Sequence, residues 1–187
     1  MNNKYIAFYK PYGVLCQFTV EPGNDSKTLA DFGMPKGVYA AGRLDKDSEG
    51  LLILTDDGIF NQKVANPASN KMKTYWAQVE KIPTQDDLDT LCKGVKISGG
   101  YLTRPCNCQI IDAPTVPDRV PPIRERKSIP TCWIELTISE GKNRQVRKMT
   151  AAIGYPTLRL IRVDVGKMNL HKLEPGQWIN VRPTDIL

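Results

Sequence analysis

The sequence has few of the residues that metal sites and histidine-based catalysis require. Its 187 residues include one histidine, His171, and five cysteines. A structural zinc site needs about four ligands at suitable spacing, and only Cys106 and Cys108 lie close together along the chain. We therefore expect no metal, and we interpret the cysteines as reduced packing residues. Acid–base or nucleophilic chemistry has to come from carboxylates, tyrosine or lysine.

Long apolar runs are also missing. No run approaches the roughly 20 residues of a membrane span, and the start, Met1-Asn2-Asn3-Lys4, lacks the apolar core of a signal peptide. We expect a cytoplasmic protein with no membrane partner, and the lack of heptads predicts a monomer. The 26 Lys and Arg against 20 Asp and Glu give a net charge of +6, which suits a polyanionic partner without establishing one.

Strand patterns outnumber helix patterns. The capping-box spacing that begins at Thr84 predicts a helix, and Asn143 is predicted to cap a second one. Alternating or continuous apolar segments predict strands over residues 4–9, 50–55, 72–81, 131–139, 158–165 and 177–182. Short connections between most of them favour an α+β fold on a largely antiparallel, mixed sheet. The length fits one domain, or one domain of two closely packed lobes.

Residues 112–130 have a different composition. They contain five prolines and four basic side chains and lack an apolar period. This pattern predicts a long basic loop, and long loops in compact domains are often functional. The loop is our candidate for an additional contact to a polyanionic partner.

The most distinctive local segment runs from Ala41 to Leu52. Gly42 and Gly50 flank a polar loop that is crowded with charged side chains and is followed by a predicted buried strand. Taken alone, such a loop is ordinarily a solvated turn with weak surface ion pairs. The charge content by itself therefore predicts no activity.

The order of motifs along the chain favours a functional interpretation. Gly42-Arg-Leu-Asp45 followed by Gly50-Leu-Leu52 resembles the signature loop of the RNA pseudouridine synthases, and the chain is identified as a member of their small-subunit-type branch. Residues 121–131 resemble the same stretch of a member that acts on large-subunit ribosomal RNA. Four further segments resemble the remaining family motifs, in the family's order: Lys10-Pro11 with Gly13-Val-Leu15, Lys73-Thr-Tyr75, Glu140 to Met149, and Leu158 to Arg162.

The resemblance implies an activity and an architecture. It implies that a specific uridine in large-subunit (23S) ribosomal RNA is isomerised to pseudouridine, without a cofactor. It also implies one catalytic domain over residues 1–187, with two lobes and the active-site cleft between them. Many relatives carry a small RNA-binding domain ahead of the catalytic one. Because the first motif begins by Lys10, we expect no such domain here.

The resemblance also assigns roles to single residues. Asp45 would be the catalytic carboxylate, either as a nucleophile or as a base, and both remain open. Tyr75 would stack on the flipped uracil, Arg147 would pair with Asp45, Leu160 would close the pocket, and Arg43 would reach the RNA backbone or fill the place that the uridine leaves. Contacts to phosphate are expected from Lys10, Arg124, Arg126, Lys127, Lys142, Arg144, Lys148 and Arg162.

Ordinary interpretations exist for each of these residues. Without the motifs, Tyr75 is one aromatic on a half-buried strand, Leu160 is a core residue, and Arg147 is one of several basic side chains on a helix surface. At the level of the whole protein, two other classes stay open. One is a non-catalytic ribosome-assembly protein that binds RNA, and the other is a carboxylate-based hydrolase of nucleic acid or nucleosides.

Overall fold

The structure, a computed structural model, describes residues 3–20, 22–66, 69–124, 126, 128–170 and 173–187. It divides into two compact units, one formed by Met1–Lys71 with Arg162–Leu187 and the other by Met72–Ile161. The strands are β1 Tyr5–Lys10, β2 Tyr39–Ala40, β3 Glu49–Thr55, β4 Lys73–Glu80, β5 Asn107–Ile111, β6 Thr131–Ile138, β7 Thr157–Val165, β8 Met168–Asn169 and β9 Trp178–Asn180. The α-helices are α1 Gly58–Ala65, α2 Gln85–Lys93 and α3 Gln145–Ala152, with single 3-10 turns at Leu29–Phe32 and Pro183–Asp185.

The sheet of the first unit is built around β3. This strand pairs antiparallel with β1, from Tyr5 opposite Thr55 to Lys10 opposite Gly50. All seven residues of β3 are buried, which explains its nearly continuous apolar sequence. The strand order is β7-β3-β1-β9, with β2 paired to β3 and β8 paired to β7. The loop between β2 and β3, residues 41–48, is therefore anchored at both ends in this sheet.

The sheet of the second unit has the order β5-β6-β4-β7. Strands β4 and β6 pair antiparallel over their full length, and both alternate buried with half-buried side chains. Helix α2 buries Leu88 and Leu91, and helix α3 buries Met149. This alternation is the expected consequence of side chains pointing to opposite faces of a strand.

The predicted fold class is confirmed, because the chain forms an α+β structure with a mixed, largely antiparallel sheet. The helix after Thr84 carries the expected capping box and ends at Gly94. The predicted cap at Asn143 is wrong: the N-cap of α3 is Arg144, which adopts a left-handed conformation with φ of 52° and makes no side-chain capping bond. Helix α1 was not predicted, because only Phe60 and Val64 are buried along its eight residues.

The five cysteines are free in the structure. Cys132 is buried and the other four are half-buried, and burial raises the pKa of the Cys106 thiol to about 12. Within the described residues, no group of three or more His, Cys, Asp and Glu side chains is arranged to hold a metal ion. The helices in this part of the chain are too short or too polar to cross a membrane.

Candidate active site

Asp45 lies half-buried in the loop of residues 41–48, which we call the Asp45 loop. The loop turns tightly, because the amide of Ser48 donates to the carbonyl of Asp45 at 3.1 Å. Its first residue, Ala41, donates its amide to the carbonyl of Ile53 in β3 at 2.8 Å. The carboxylate is therefore carried by a short turn whose backbone is fixed to a buried strand.

Lys10, the last residue of β1, is buried beneath the loop. Its side chain has no exposed surface, and its Nζ donates to the carbonyls of Val14 at 2.7 Å, Pro11 at 3.0 Å and Lys46 at 3.5 Å. The amide of Gly13 also donates to the carbonyl of Lys46, at 2.8 Å. The turn after β1 is thus bonded to the residue that follows Asp45.

The pKa of Lys10 reports its surroundings. Burial lowers the pKa to about 8, against the opposing effect of Cys16, Glu49, Asp47 and Asp45. Desolvation disfavours a charged group, whereas nearby negative charges favour a cation. The carboxylates of the Asp45 loop therefore act on Lys10 through their charge. The three hydrogen bonds from its Nζ to Pro11, Val14 and Lys46 go to backbone carbonyls.

Arg162, in β7, binds the same loop from another strand. Its side chain is nearly buried, with 3% of the residue exposed. Its Nε donates to the carbonyl of Leu51 at 2.8 Å, and its Nη1 lies 3.4 Å from the carbonyl of Arg43. A Cβ on Gly50 would lie 2.2 Å from the carbonyl oxygen of Arg162, so the backbone of Arg162 also contacts β3 directly after the loop.

These positions correct two of the predicted phosphate contacts. Lys10 and Arg162 are buried and donate to backbone carbonyls inside the first unit. A phosphate of a bound RNA reaches exposed cations, so neither residue is placed to make such a contact. Both residues instead hold the backbone around Asp45. Arg43 is exposed, as its predicted role requires.

The second unit contains the other residues that the motifs single out. Tyr75 on β4 is 8% exposed and Leu160 on β7 is 5% exposed. Arg147 is half-buried on α3, and its Nη1 donates to the carbonyl of Thr157 at 3.2 Å. The hydroxyls of Thr150 and Thr157 lie 2.7 Å apart. Arg147 is thereby bonded to β7, the strand that contains Leu160. Strand β7 is adjacent to β4, which contains Tyr75.

A buried carboxylate fixes the start of α3. Glu140 is 3% exposed and accepts hydrogen bonds from the hydroxyl of Tyr101 at 2.6 Å and from the amide of Arg104 at 2.9 Å. It also accepts from Nε2 of Gln145. Burial raises the pKa of Glu140, but these hydrogen bonds outweigh it and hold the pKa below its usual range. The helix that carries Arg147 therefore begins at a fixed, negatively charged anchor.

The remaining predicted phosphate contacts lie in the second unit. Lys142 and Arg144 are exposed at the start of α3, and Lys148 is half-buried in it. Nζ of Lys142 lies 4.7 Å from the ring centre of Tyr101. In the loop of residues 112–130, Arg124 is exposed and Arg126 is ion-paired with Glu80 at 3.7 Å. Lys127 lies outside the described residues.

The sequence held signals for the residues whose role was missed. Arg162 interrupts an apolar strand, and a charged residue at a buried strand position has to find partners. Lys10 is the last of five consecutive buried residues, at positions 6–10 of β1. Glu140 lies between a predicted strand and a predicted helix, and no separate role was predicted for it from the sequence. Lys10 and Arg162 bind backbone carbonyls, and Glu140 binds one backbone amide and two side chains.

Comparison with known proteins identifies the family. The profile of RNA pseudouridylate synthases matches residues 4–152. The chain is 53% identical over 181 residues to ribosomal large subunit pseudouridine synthase E of Vibrio parahaemolyticus, covering 97% of this chain and 75% of that protein. It is also 53% identical over 174 residues to the protein of the same name from Xanthomonas campestris, covering 92% of each.

A solved structure agrees with the sequence comparison. The fold matches a crystal structure of a pseudouridylate synthase with a TM-score of 0.81 and 27% identity, over 99% of this chain and 73% of the other. The Asp45 loop lies inside the matched region of the family profile. The chain belongs to the RNA pseudouridylate synthase family, whose members are isomerases that act on RNA.

Proposed function

We propose that this protein isomerises a specific uridine of large-subunit ribosomal RNA to pseudouridine, with Asp45 as the catalytic carboxylate. The observation that carries the proposal is the Asp45 loop itself. The loop keeps the complete Gly-Arg-Leu-Asp sequence, and its backbone is bonded to two buried cations, Lys10 and Arg162. The choice of large-subunit RNA is supported by the relatives at 53% identity, which are named for it.

The chemistry that we propose needs only groups of the protein and the RNA. Asp45 attacks the ribose or removes a proton from it, the uracil detaches, and the base rejoins the sugar through carbon. A carboxylate suits either first step. The reaction exchanges one glycosidic bond for another, so it consumes no external group and no redox equivalent.

We assign the supporting roles as the motifs predict. Tyr75 stacks on the flipped uracil, Leu160 covers the base, Arg147 holds Asp45 in its ionised form, and Arg43 contacts the RNA backbone or occupies the space of the flipped nucleotide. A flipped base needs an aromatic or apolar surface to replace the stacking it loses. Among the described basic residues, we retain Arg124, Arg126, Lys142, Arg144 and Lys148 as phosphate contacts. Location in the cytoplasm and a monomeric state stay predictions.

The test is to incubate the purified protein with transcripts of large-subunit and small-subunit ribosomal RNA and to map pseudouridine chemically. We expect one or a few modified positions in the large-subunit transcript, with no change in RNA mass and no strand breaks. Modification confined to the small-subunit transcript would contradict the assigned substrate. Free uracil or broken strands would indicate a hydrolase, and binding without any modification would indicate a non-catalytic RNA-binding protein.

A further inference from the structure

We propose that Arg162 is a positioning residue for Asp45: its buried guanidinium sets the geometry of the Asp45 loop by binding the backbone on both sides of Asp45. The inference rests on the proposed function, because it concerns the carboxylate to which that function assigns the chemistry. Arg162 itself has no assigned contact to the substrate.

The first argument is the spacing of the two acceptors. Nε of Arg162 donates to the carbonyl of Leu51 at 2.8 Å, and Nη1 lies 3.4 Å from the carbonyl of Arg43. These carbonyls stand two residues before Asp45 and six residues after it. A single rigid side chain therefore ties the entrance of the loop to the strand that follows it.

The second argument is the energetic penalty of this arrangement. Arg162 is 3% exposed, and its Nη2 is buried without a hydrogen-bond partner within the described part of the chain. A buried polar group that lacks a partner is destabilising, so an apolar side chain would serve packing alone better. A guanidinium offers several donors in a fixed planar arrangement, and one of them is used on the Asp45 loop and another on β3, directly after it.

The third argument is the close approach at Gly50. A Cβ at this position would lie 2.2 to 2.9 Å from the backbone O, N and C atoms of Arg162. The backbone of Arg162 thus lies directly against β3 just after the loop, while its side chain reaches Arg43 near the start of the loop. A displacement of Arg162 is therefore transmitted to the loop at two points, and a reacting group misplaced by about 1 Å costs about a hundredfold in rate.

The chain offers a matched control in Arg159. This residue lies on the same strand, is 6% exposed and also donates to a loop carbonyl, since its Nη2 bonds to the carbonyl of Pro117 at 2.8 Å. Pro117 belongs to the loop of residues 112–130, in the second unit. Substitution of Arg159 therefore removes the bond to Pro117 and leaves the bonds of Arg162 to Leu51 and Arg43 in place.

The experiment compares Arg162→Lys and Arg159→Lys with the wild-type protein, at a temperature where near-ultraviolet circular dichroism shows all three to be folded. Lysine keeps the charge but carries all its N–H donors on one nitrogen, so it cannot place two separate donor nitrogens at the Leu51 and Arg43 carbonyls as the guanidinium does. For Arg162→Lys we expect kcat for pseudouridine formation to fall about a hundredfold, with KM for the RNA within about threefold. For Arg159→Lys we expect kcat within about threefold of the wild type.

Hydrogen exchange gives a readout that does not depend on activity. The amide of Ser48 donates to the carbonyl of Asp45, so its exchange rate reports whether the turn is kept. We expect faster exchange at Ser48 in Arg162→Lys and unchanged exchange in Arg159→Lys. Unchanged exchange at Ser48 in Arg162→Lys, or an equal loss of kcat in both variants, would overturn the positioning role.

Failure of the proposed function would give a different result. If the wild-type protein forms no pseudouridine in ribosomal RNA, the assigned activity is wrong, whatever the variants do. If the wild type is active and Arg162→Lys is equally active, the activity stands and the positioning role falls. The variant Arg162→Gln keeps an amide donor but loses the positive charge, so it separates hydrogen bonding from charge. We expect its kcat to fall at least as far as that of Arg162→Lys. A wild-type kcat in Arg162→Gln would also overturn the proposal.

Discussion

Gly50 and the carbonyl of Arg162 approach each other so closely that no side chain fits between them. An added Cβ would lie 2.2 Å from that oxygen, and Gly50 has a φ of 108°. Position 50 therefore combines a steric requirement with a backbone conformation that L-residues rarely adopt. Because Gly50 lies in β3, two residues after the Asp45 loop, the contact belongs to the framework of the candidate active site.

Replacement of Gly50 by alanine should destabilise the protein strongly. We expect Gly50→Ala to lower the free energy of unfolding by about 3 kcal/mol or more, from the overlap with Arg162 and the backbone strain together. The control is Gly42→Ala, since Gly42 has a φ of 82° but nothing within 4 Å of an added Cβ. Strain alone predicts a loss of about 1 to 2 kcal/mol there. Urea denaturation measures both losses, and equal losses would refute the steric contact.

Glu140 should make stability depend on pH in the acid range. Burial opposes its ionisation, yet the hydrogen bonds from Tyr101, the Arg104 amide and Gln145 hold its pKa below the usual value of 4.5. Its contribution is therefore complete above the unfolded pKa and is lost as the pH falls through the folded one. We expect Glu140→Gln to lower the free energy of unfolding by about 2 kcal/mol near neutral pH.

The direction of this pH dependence distinguishes the contribution of Glu140 from a general loss of stability in acid. The difference between wild type and Glu140→Gln should shrink as the pH is lowered from neutrality to below the usual carboxyl pKa of 4.5, since the protonated wild-type side chain loses its advantage. The exposed Glu174, replaced by glutamine in the same way, serves as the control. If the difference in the free energy of unfolding stayed constant over this range, the charge of Glu140 would not be what stabilises the wild type.

Lys142 should contribute one phosphate contact to RNA affinity. It is exposed at the start of α3, with its ammonium group over the ring of Tyr101. We expect Lys142→Ala to weaken RNA binding and to reduce the slope of log K against log salt by about 0.7 to 0.9. Filter binding over a series of salt concentrations measures this slope. Lys63→Ala, at an exposed position on α1, should leave it unchanged, and an unchanged slope for Lys142→Ala would remove this residue from the interface.

Local patterns in the sequence predicted the elements that local physics determines. The capping box at Thr84 forms as expected, because its two hydrogen bonds join residues three positions apart. The alternation around Tyr75 gave β4, because the period of a strand fixes which side chains are buried. Helix α1 escaped prediction since its apolar side chains are few, and the edge strand β5 escaped since most of its residues are exposed.

The geometry of the candidate site depends on distant backbone atoms. Arg162 binds the carbonyl of Leu51, 111 residues earlier in the chain, and the carbonyl of Arg43, 119 residues earlier. A carbonyl group is present at every position, so the sequence does not mark which one a buried arginine will bind. The motifs located Asp45, whereas the two buried cations that hold its loop became visible only in the folded chain.

The measurement that tests the central claim most directly compares Asp45→Asn with Asp47→Asn. Both substitutions remove one carboxylate from the same loop, and both residues are half-buried. With large-subunit ribosomal RNA as substrate, we expect Asp45→Asn to form pseudouridine at least about a thousandfold more slowly than the wild type, while its affinity for the RNA stays within a few fold. Asp47→Asn should retain most of the activity. Pseudouridine formation by Asp45→Asn at a rate near that of the wild type would contradict the assignment of Asp45 as the catalytic carboxylate.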